Sequence, residues 1–152
     1  MPRLDATRLA AWRGMQSTAA EIERRIDADL REEWDLTLGW FDVLASLQRL
    51  GGSARPSELA ADLRLVRSSL TRRLDRLEED GWVERHEGRT HDGRTVTVEL
   101  TRRGRALWRE MNVTYRRSVQ RHFAGHLDDE SVATLHAVLD AVLEDVVPPL
   151  TD

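Results

Sequence analysis

The sequence predicts a mainly α protein with a small β-hairpin wing, in a winged helix-turn-helix layout between long N- and C-terminal helices. Three observations predict it. Apolar residues recur at three- and four-residue steps through most of the chain. The period switches to strict alternation at Thr95-Val96-Thr97-Val98-Glu99-Leu100. Two short helical stretches, separated by a brief turn, stand just before the hairpin.

Each element follows from its residues. A first helix over 5–33 carries Trp12, Met15, Ala19, Ile22, Ile26 and Leu30 as its stripe. Thr37 is a suitable N-cap for a second helix, Leu38 to Leu50, whose apolar face is Leu38, Phe41, Val43, Leu44 and Leu47. Gly51-Gly52 ends it. Pro56 opens a third helix, 56–63, with Leu59, Ala60 and Leu63 inward. A fourth starts at Val66 or Arg67, buries Leu70, Leu74 and Leu77, runs to about Asp80 and stops at Gly81. Trp82 to Arg85 and Thr95 to Leu100 pair as strands, joined by a long polar loop from Glu87 to Gly93. Thr101 caps a helix over 102–125 and Asp128 caps one over 129–147. The last has a stripe of Val132, Leu135, Leu139, Val142 and Val146, and Pro148-Pro149 stop it. So small a central lobe cannot cover the stripes of the terminal helices, and a second copy of the chain is the economical partner.

The chain has 152 residues and a net charge of −4. All 23 of its cations are arginine, so any anion site uses a planar, bidentate, weakly hydrated cation. With no cysteine there is no disulfide, thiol nucleophile, thiolate zinc site or cysteine redox switch. No apolar run approaches the roughly 18 residues of a membrane span, and the N-terminus lacks a signal-peptide core. The expected location is the cytoplasm. There is no Gly-rich phosphate loop and no supported Ser–His–acid set, so neither an enzyme nor a cofactor is expected. His122 and His126 stand at a spacing that can hold a metal, but without a third ligand two surface histidines are the simpler reading.

Function must therefore rest on local charge. Between residues 64 and 76, Arg64, Arg67, Arg72, Arg73 and Arg76 face one acid, Asp75. If this helix enters a DNA groove by its N-terminal half, Arg67, Ser68, Ser69, Thr71 and Arg72, with Arg73 beside them, supply base and phosphate contacts. The plain alternative is a solvated face of helical pairs such as Arg76 with Asp80. The hairpin favours the first reading: Arg89 and Arg94 can reach an adjacent minor groove, with Asp92 holding a guanidinium in pose or serving only as turn chemistry. Seven acids and no arginine lie in 122–152, so that end points away from DNA.

Leu36-Thr37, Ser57-Glu58-Leu59-Ala60, Ser68-Ser69-Leu70-Thr71-Arg72, Arg76-Leu77-Glu78, Gly81-Trp82-Val83-Glu84-Arg85, Asp92-Gly93-Arg94 and Leu100-Thr101-Arg102-Arg103-Gly104 together resemble the MarR family of bacterial transcriptional regulators. The likeness is close over residues 36–108. It implies a two-fold homodimer without membrane association. An N-terminal dimerisation helix (1–35), a DNA-binding lobe (36–101) and C-terminal dimerisation helices (102–152) would make it up. It also implies major-groove reading by the fourth helix, minor-groove contact by the wing arginine, a double-stranded pseudo-palindromic operator, repression, and release by small, often phenolic or anionic, ligands. Four residues depart from the family pattern: Arg64 where Gly is frequent, Val66 where a hydroxyl cap is usual, Arg55 at another cap, and Trp40 at a polar position. Trp12, Trp34, Trp40 and Trp108 are candidates to line an effector pocket, against the simpler reading of core or interface anchors. The alternative to a DNA-binding regulator is a winged helix that binds protein only.

Overall fold

The computed structural model describes residues 3–91 and 93–146. Helix α1 spans Ala6–Trp34, α2 Leu38–Arg49, α3 Pro56–Asp62 and α4 Arg67–Glu79. Strand β1 is Ser53–Ala54, β2 Val83–Thr90 and β3 Gly93–Leu100. Helix α5 covers Arg102–His122, a 3-10 turn follows at Ala124–His126, and α6 covers Asp129–Val146. The sheet is antiparallel in the order β1-β3-β2. The predicted stop at Pro148-Pro149 lies outside the described residues.

One core joins all three parts of the chain. Ile26 and Leu30 of α1, Phe41, Val43, Leu44 and Leu47 of α2, Leu70, Leu74 and Leu77 of α4, Val83 and Val98 of the hairpin, and Met111 of α5 are buried together. Phe41 stacks on Tyr115 of α5 at 4.6 Å between ring centroids. The terminal helices thus brace the winged lobe as well as extending beyond it.

Several expectations need correction. Thr37 precedes α2 as its N-cap but makes no side-chain cap; the Leu38 amide instead donates to the Asp27 carboxylate of α1 at 2.8 Å. A carboxylate from a neighbouring helix serves the same orphan amide, and no local pattern announces it. The polar stretch from Glu87 to Gly93 is not a long loop. The strands pair without interruption from Val83↔Leu100 to Thr90↔Gly93. The described residues of this outer stretch are exposed, so it needs no apolar alternation and reads as loop. Helix α5 ends at His122, three residues early, and His126 belongs to the 3-10 turn, so the two histidines do not share one helix face. Among the described residues no group of three or more His, Cys, Asp or Glu is placed to hold a metal. Strand β1, two residues long, gave no sequence signal of its own.

Other expectations stand. Gly51, Gly52 and Gly81 all have positive φ at helix ends. Thr101 caps α5 by accepting the Gly104 amide at 3.0 Å, and Asp128 accepts the Ser131 amide at 2.8 Å. Among the described residues no helix is long and apolar enough to cross a membrane.

The start of α5 also explains a glycine. A Cβ on Gly104 would lie 1.9 Å from the Trp82 carbonyl oxygen, a backbone atom that cannot move aside. Gly104→Ala should therefore destabilise by about 2–3 kcal/mol, although Ala is the better helix former in open surroundings. Denaturant unfolding checks it, and an unchanged midpoint contradicts the close approach. In the packing of α1 against α5, Asp29 accepts from the Ser118 hydroxyl at 2.6 Å and contacts His122 at 3.2 Å. The Ser118 bond chiefly lowers its carboxyl below the ordinary 3.8, with His122 and Arg121 helping and burial opposing. A lowered folded value gives stability that is present above the unfolded value and lost as pH falls through and below it. The Tm of Asp29→Asn should accordingly fall less steeply than that of the unaltered chain between pH 5 and pH 3, roughly the carboxylate range. Parallel curves would remove Asp29 from the acid response.

Candidate nucleic-acid interface

The two helices of the helix-turn-helix are joined by a tight reversal. The Arg64 amide bonds to the Ala61 carbonyl at 3.2 Å and the Leu65 amide to the Ala60 carbonyl at 2.9 Å, the paired bonds of a left-handed helix stop. Arg64 holds φ 51 there, a conformation glycine reaches without strain. The reversal common with Gly is kept with Arg. Val66 is the N-cap of α4 and makes no side-chain cap. Before α3, the Arg55 amide donates to Glu58 at 2.6 Å, one arm of a capping box in which arginine has no acceptor to return.

Helix α4 presents its N-terminal half outward. Arg67, Ser68, Ser69, Thr71 and Arg72 are all exposed, while Leu70 and Leu74 anchor the opposite face. The Thr71 hydroxyl donates to the Arg67 carbonyl at 2.9 Å. Among the described residues Arg67 and Arg72 have no ion-pair partner. Arg76, nearer the C-terminus, is neutralised by Asp80 at 3.3 Å and Glu79 at 3.8 Å, the helical pairing foreseen as the plain alternative.

Arg73 does not belong to the exposed set. Its guanidinium turns back to α2 and donates to the Gly39 carbonyl at 3.1 Å. A Cβ at position 39 would meet that guanidinium at 3.0 Å. Asp42, one turn along α2, is half-buried; burial raises its carboxyl above the ordinary value, opposed mainly by the charge of Arg73. Arg73 therefore positions α4 on the body instead of offering a charge to solvent.

The wing stands beside α4. Arg67, Thr71 and Asp75 of α4, Ser57 of α3, and Arg85, Glu87 and Arg94 of the hairpin line one groove. Register sets which hairpin side chains face it: Arg85↔Val98, Glu87↔Val96 and Arg89↔Arg94 are directly opposed pairs on one side of the ribbon. At the base of that side Val98 is buried in the core; toward the tip Arg89 and Arg94 are exposed.

Arg85 is a residue the sequence reading passed over. Its guanidinium binds Asp75 at 2.7 Å and Glu78 at 2.7 Å, both on α4, and its amide donates to Glu78 at 3.2 Å. Strand alternation from buried Val83 would have placed it on the α4 side. Arg94 pairs with Glu87 at 2.6 Å, while Arg89 has no partner among the described residues. Asp92, expected to hold an arginine, lies outside the described residues.

The base of the wing is fixed too. The Thr101 hydroxyl donates to the Gly81 carbonyl at 2.7 Å while accepting the Gly104 amide, and the Thr101 amide donates to the Trp82 carbonyl at 3.2 Å. The end of α4, the start of β2 and the start of α5 thus share one hydrogen-bonded junction.

The tryptophans are dispersed. Trp12 and Trp34 lie 22 positions apart on α1, about 33 Å along a helix, so one chain cannot bring both to a small ligand. Trp12 is 52% exposed. The indole N–H of Trp34 donates to Thr114 at 2.9 Å, and Trp40 is half-buried. Trp108 Nε1 is buried without an acceptor among the described residues.

Comparison with known proteins agrees with this geometry. The sequence pattern of the MarR family matches residues 34–95. The HTH-type transcriptional regulator PecS of Dickeya dadantii is 36% identical over 110 residues, 70% of this chain and 64% of that protein. The multiple antibiotic resistance protein MarR of Escherichia coli is 36% identical over 109 residues, 72% of this chain and 74% of that protein. The structure of Sco3205, a MarR family transcriptional regulator from Streptomyces coelicolor in complex with DNA, superposes with a TM-score of 0.84. Its identity is 25%, with 100% of this chain and 96% of that chain covered. On the extent of the E. coli relative that is covered, with the same winged fold throughout, this chain belongs to the MarR family.

Proposed function

We propose that the protein is a dimeric, sequence-specific DNA-binding transcriptional regulator, most simply a repressor. It acts in the cytoplasm and has no catalytic role. The observation that carries this reading is the shared groove: the exposed hydroxyl and arginine face of α4 and the wing arginines open to the same side, and Arg85 ties the two together. Arg67, Ser68, Ser69, Thr71 and Arg72 read the major groove, while Arg89 and Arg94 reach the flanking minor groove, where negative potential attracts guanidinium. The functional division is an N-terminal dimerisation helix, a DNA-binding lobe over 36–101 and C-terminal dimerisation helices.

The dimer follows from unsatisfied surface. Helix α6 buries none of its residues, and Val132, Val138, Val142, Leu143 and Val146 are exposed along it. Leu4, Trp12 and Met15 are exposed at the other terminus. Patches of this kind mark association surfaces, and two-fold pairing of the terminal helices covers both. Two copies then present two α4 helices to a pseudo-palindrome with half-sites about one turn apart. Release by a small aromatic or anionic ligand is proposed near Trp34 and Trp40, which flank the α1–α2 junction.

Two experiments test the reading. Sedimentation should show a dimer. Val142→Asp should weaken it by at least tenfold, the scale of a charge placed at an apolar interface position (about 1.4 kcal/mol per decade), with helix content kept because α6 lies outside the core. A monomer at micromolar concentration would defeat the symmetric arrangement. In fluorescence anisotropy on a duplex selected by the protein from a random pool, Arg94→Ala should weaken binding about tenfold, lower the salt slope by about one and relax preference at flanking A·T steps. Unchanged affinity and preference would exclude the wing from the interface.

A further inference from the structure

Glu87 lines the groove between α4 and the wing. Its carboxylate holds the Arg94 guanidinium at 2.6 Å, with side chains 62% and 76% exposed. An ion pair so open to water contributes little to folding, and neither partner packs into the core. The pair nevertheless joins an acid to a wing arginine on the side of the ribbon that faces α4.

The local charges explain why an acid is tolerated there. Arg89 and Arg94 are directly opposed across the strands, and like charges in that relation repel. Glu87 lies two residues from Arg89 on the same side and binds only Arg94. Among the described residues one wing arginine is therefore neutralised and the other has no ion-pair partner.

We propose that Glu87 is a specificity-determining residue of the DNA interface, withholding Arg94 from phosphate rows and yielding it only to a groove that binds guanidinium more strongly. The inference rests on the DNA-binding reading. On random duplex a phosphate contact merely exchanges one anionic partner for another, so Arg94 stays with Glu87 and adds nothing to affinity. On a site whose narrow minor groove accepts the side chain, the groove contact outcompetes the carboxylate. Glu87 thus depresses non-specific binding more than specific binding, and the gap between the two widens.

The test compares Glu87→Gln with the unaltered chain by fluorescence anisotropy. The probes are a random duplex of about 30 bp, long enough for two half-sites a turn apart, and a duplex selected by the unaltered chain from a random pool. The variant should bind random duplex several-fold more tightly and the selected duplex less than twofold more tightly. Its salt slope on random duplex should steepen by about one, as a freed arginine adds a phosphate contact. In an Arg94→Ala background the same substitution should lose most of its effect. Equal tightening on both duplexes, or the full effect without Arg94, would show Glu87 to be a plain repelling charge and overturn the inference. So would unchanged affinities. A chain that selects and binds no duplex at all overturns the DNA-binding reading itself, and this inference with it.

Discussion

The bidentate hold of Arg85 on Asp75 and Glu78 is the constraint on which the interface depends. A winged helix needs its wing and its reading helix at a fixed separation, because the two would meet different grooves of one duplex. A two-stranded ribbon on its own is marginal in water and free to swing. Here its base is seated by Val83 and Val98 in the core and by the Thr101 junction, and its middle is pinned to α4 by Arg85, whose side chain is only 24% exposed. Partial burial makes this pair worth more than an open surface bridge and fixes its geometry. The Gly104 contact with Trp82 serves the same end from the other side, since it brings the first turn of α5 against the backbone where the wing begins.

This arrangement resolves the apparent conflict between an acidic chain and a polyanionic partner. The arginines fall into two groups. Arg73, Arg76 and Arg85 are engaged by the protein's own acids or carbonyls, and they shape the lobe. Arg67, Arg72 and Arg89 have no ion-pair partner among the described residues, and they line the open side. Counting charges over residues 51–110, which hold 13 Arg and 11 acids, mixes the two groups and yields a nearly neutral sum. What a duplex is proposed to meet is the second group together with Arg94, which Glu87 holds in the free protein.

Much of this was legible in the sequence because the dominant signals are local. Leu70, Leu74 and Leu77 fix which face of α4 is buried, and therefore that Arg67, Ser68 and Arg72 are exposed. Thr101 with Gly104 announces a helix start by a cap whose donor lies three residues away. Three of the misreadings share a cause: each depends on a partner distant in sequence. Asp27 caps α2 from another helix, Arg73 is drawn inward by a carbonyl 34 positions away, and β1 exists only because β3 passes beside it. The outer half of the wing was hidden for a different reason. Its residues pair through the backbone and through the Glu87–Arg94 ion pair, and neither leaves an apolar signature.

The distribution of burial ties the lobe to the ends of the chain. Ile26 and Leu30 are buried in the core shared with α4, yet the same helix carries exposed Trp12 and Met15 at its other end. The same helix meets α2 at the Asp27–Leu38 bond, and α2 receives Arg73 from α4 through Gly39. The path is short and made of rigid parts: a helix, a capped junction at Asp27 and Leu38, a second helix, and one guanidinium-to-carbonyl bond. The proposed association surface on α1 and the proposed reading head thus belong to helices that share one core. Pairing that reoriented α1 would alter the separation of the two α4 helices, the quantity that selects half-site spacing.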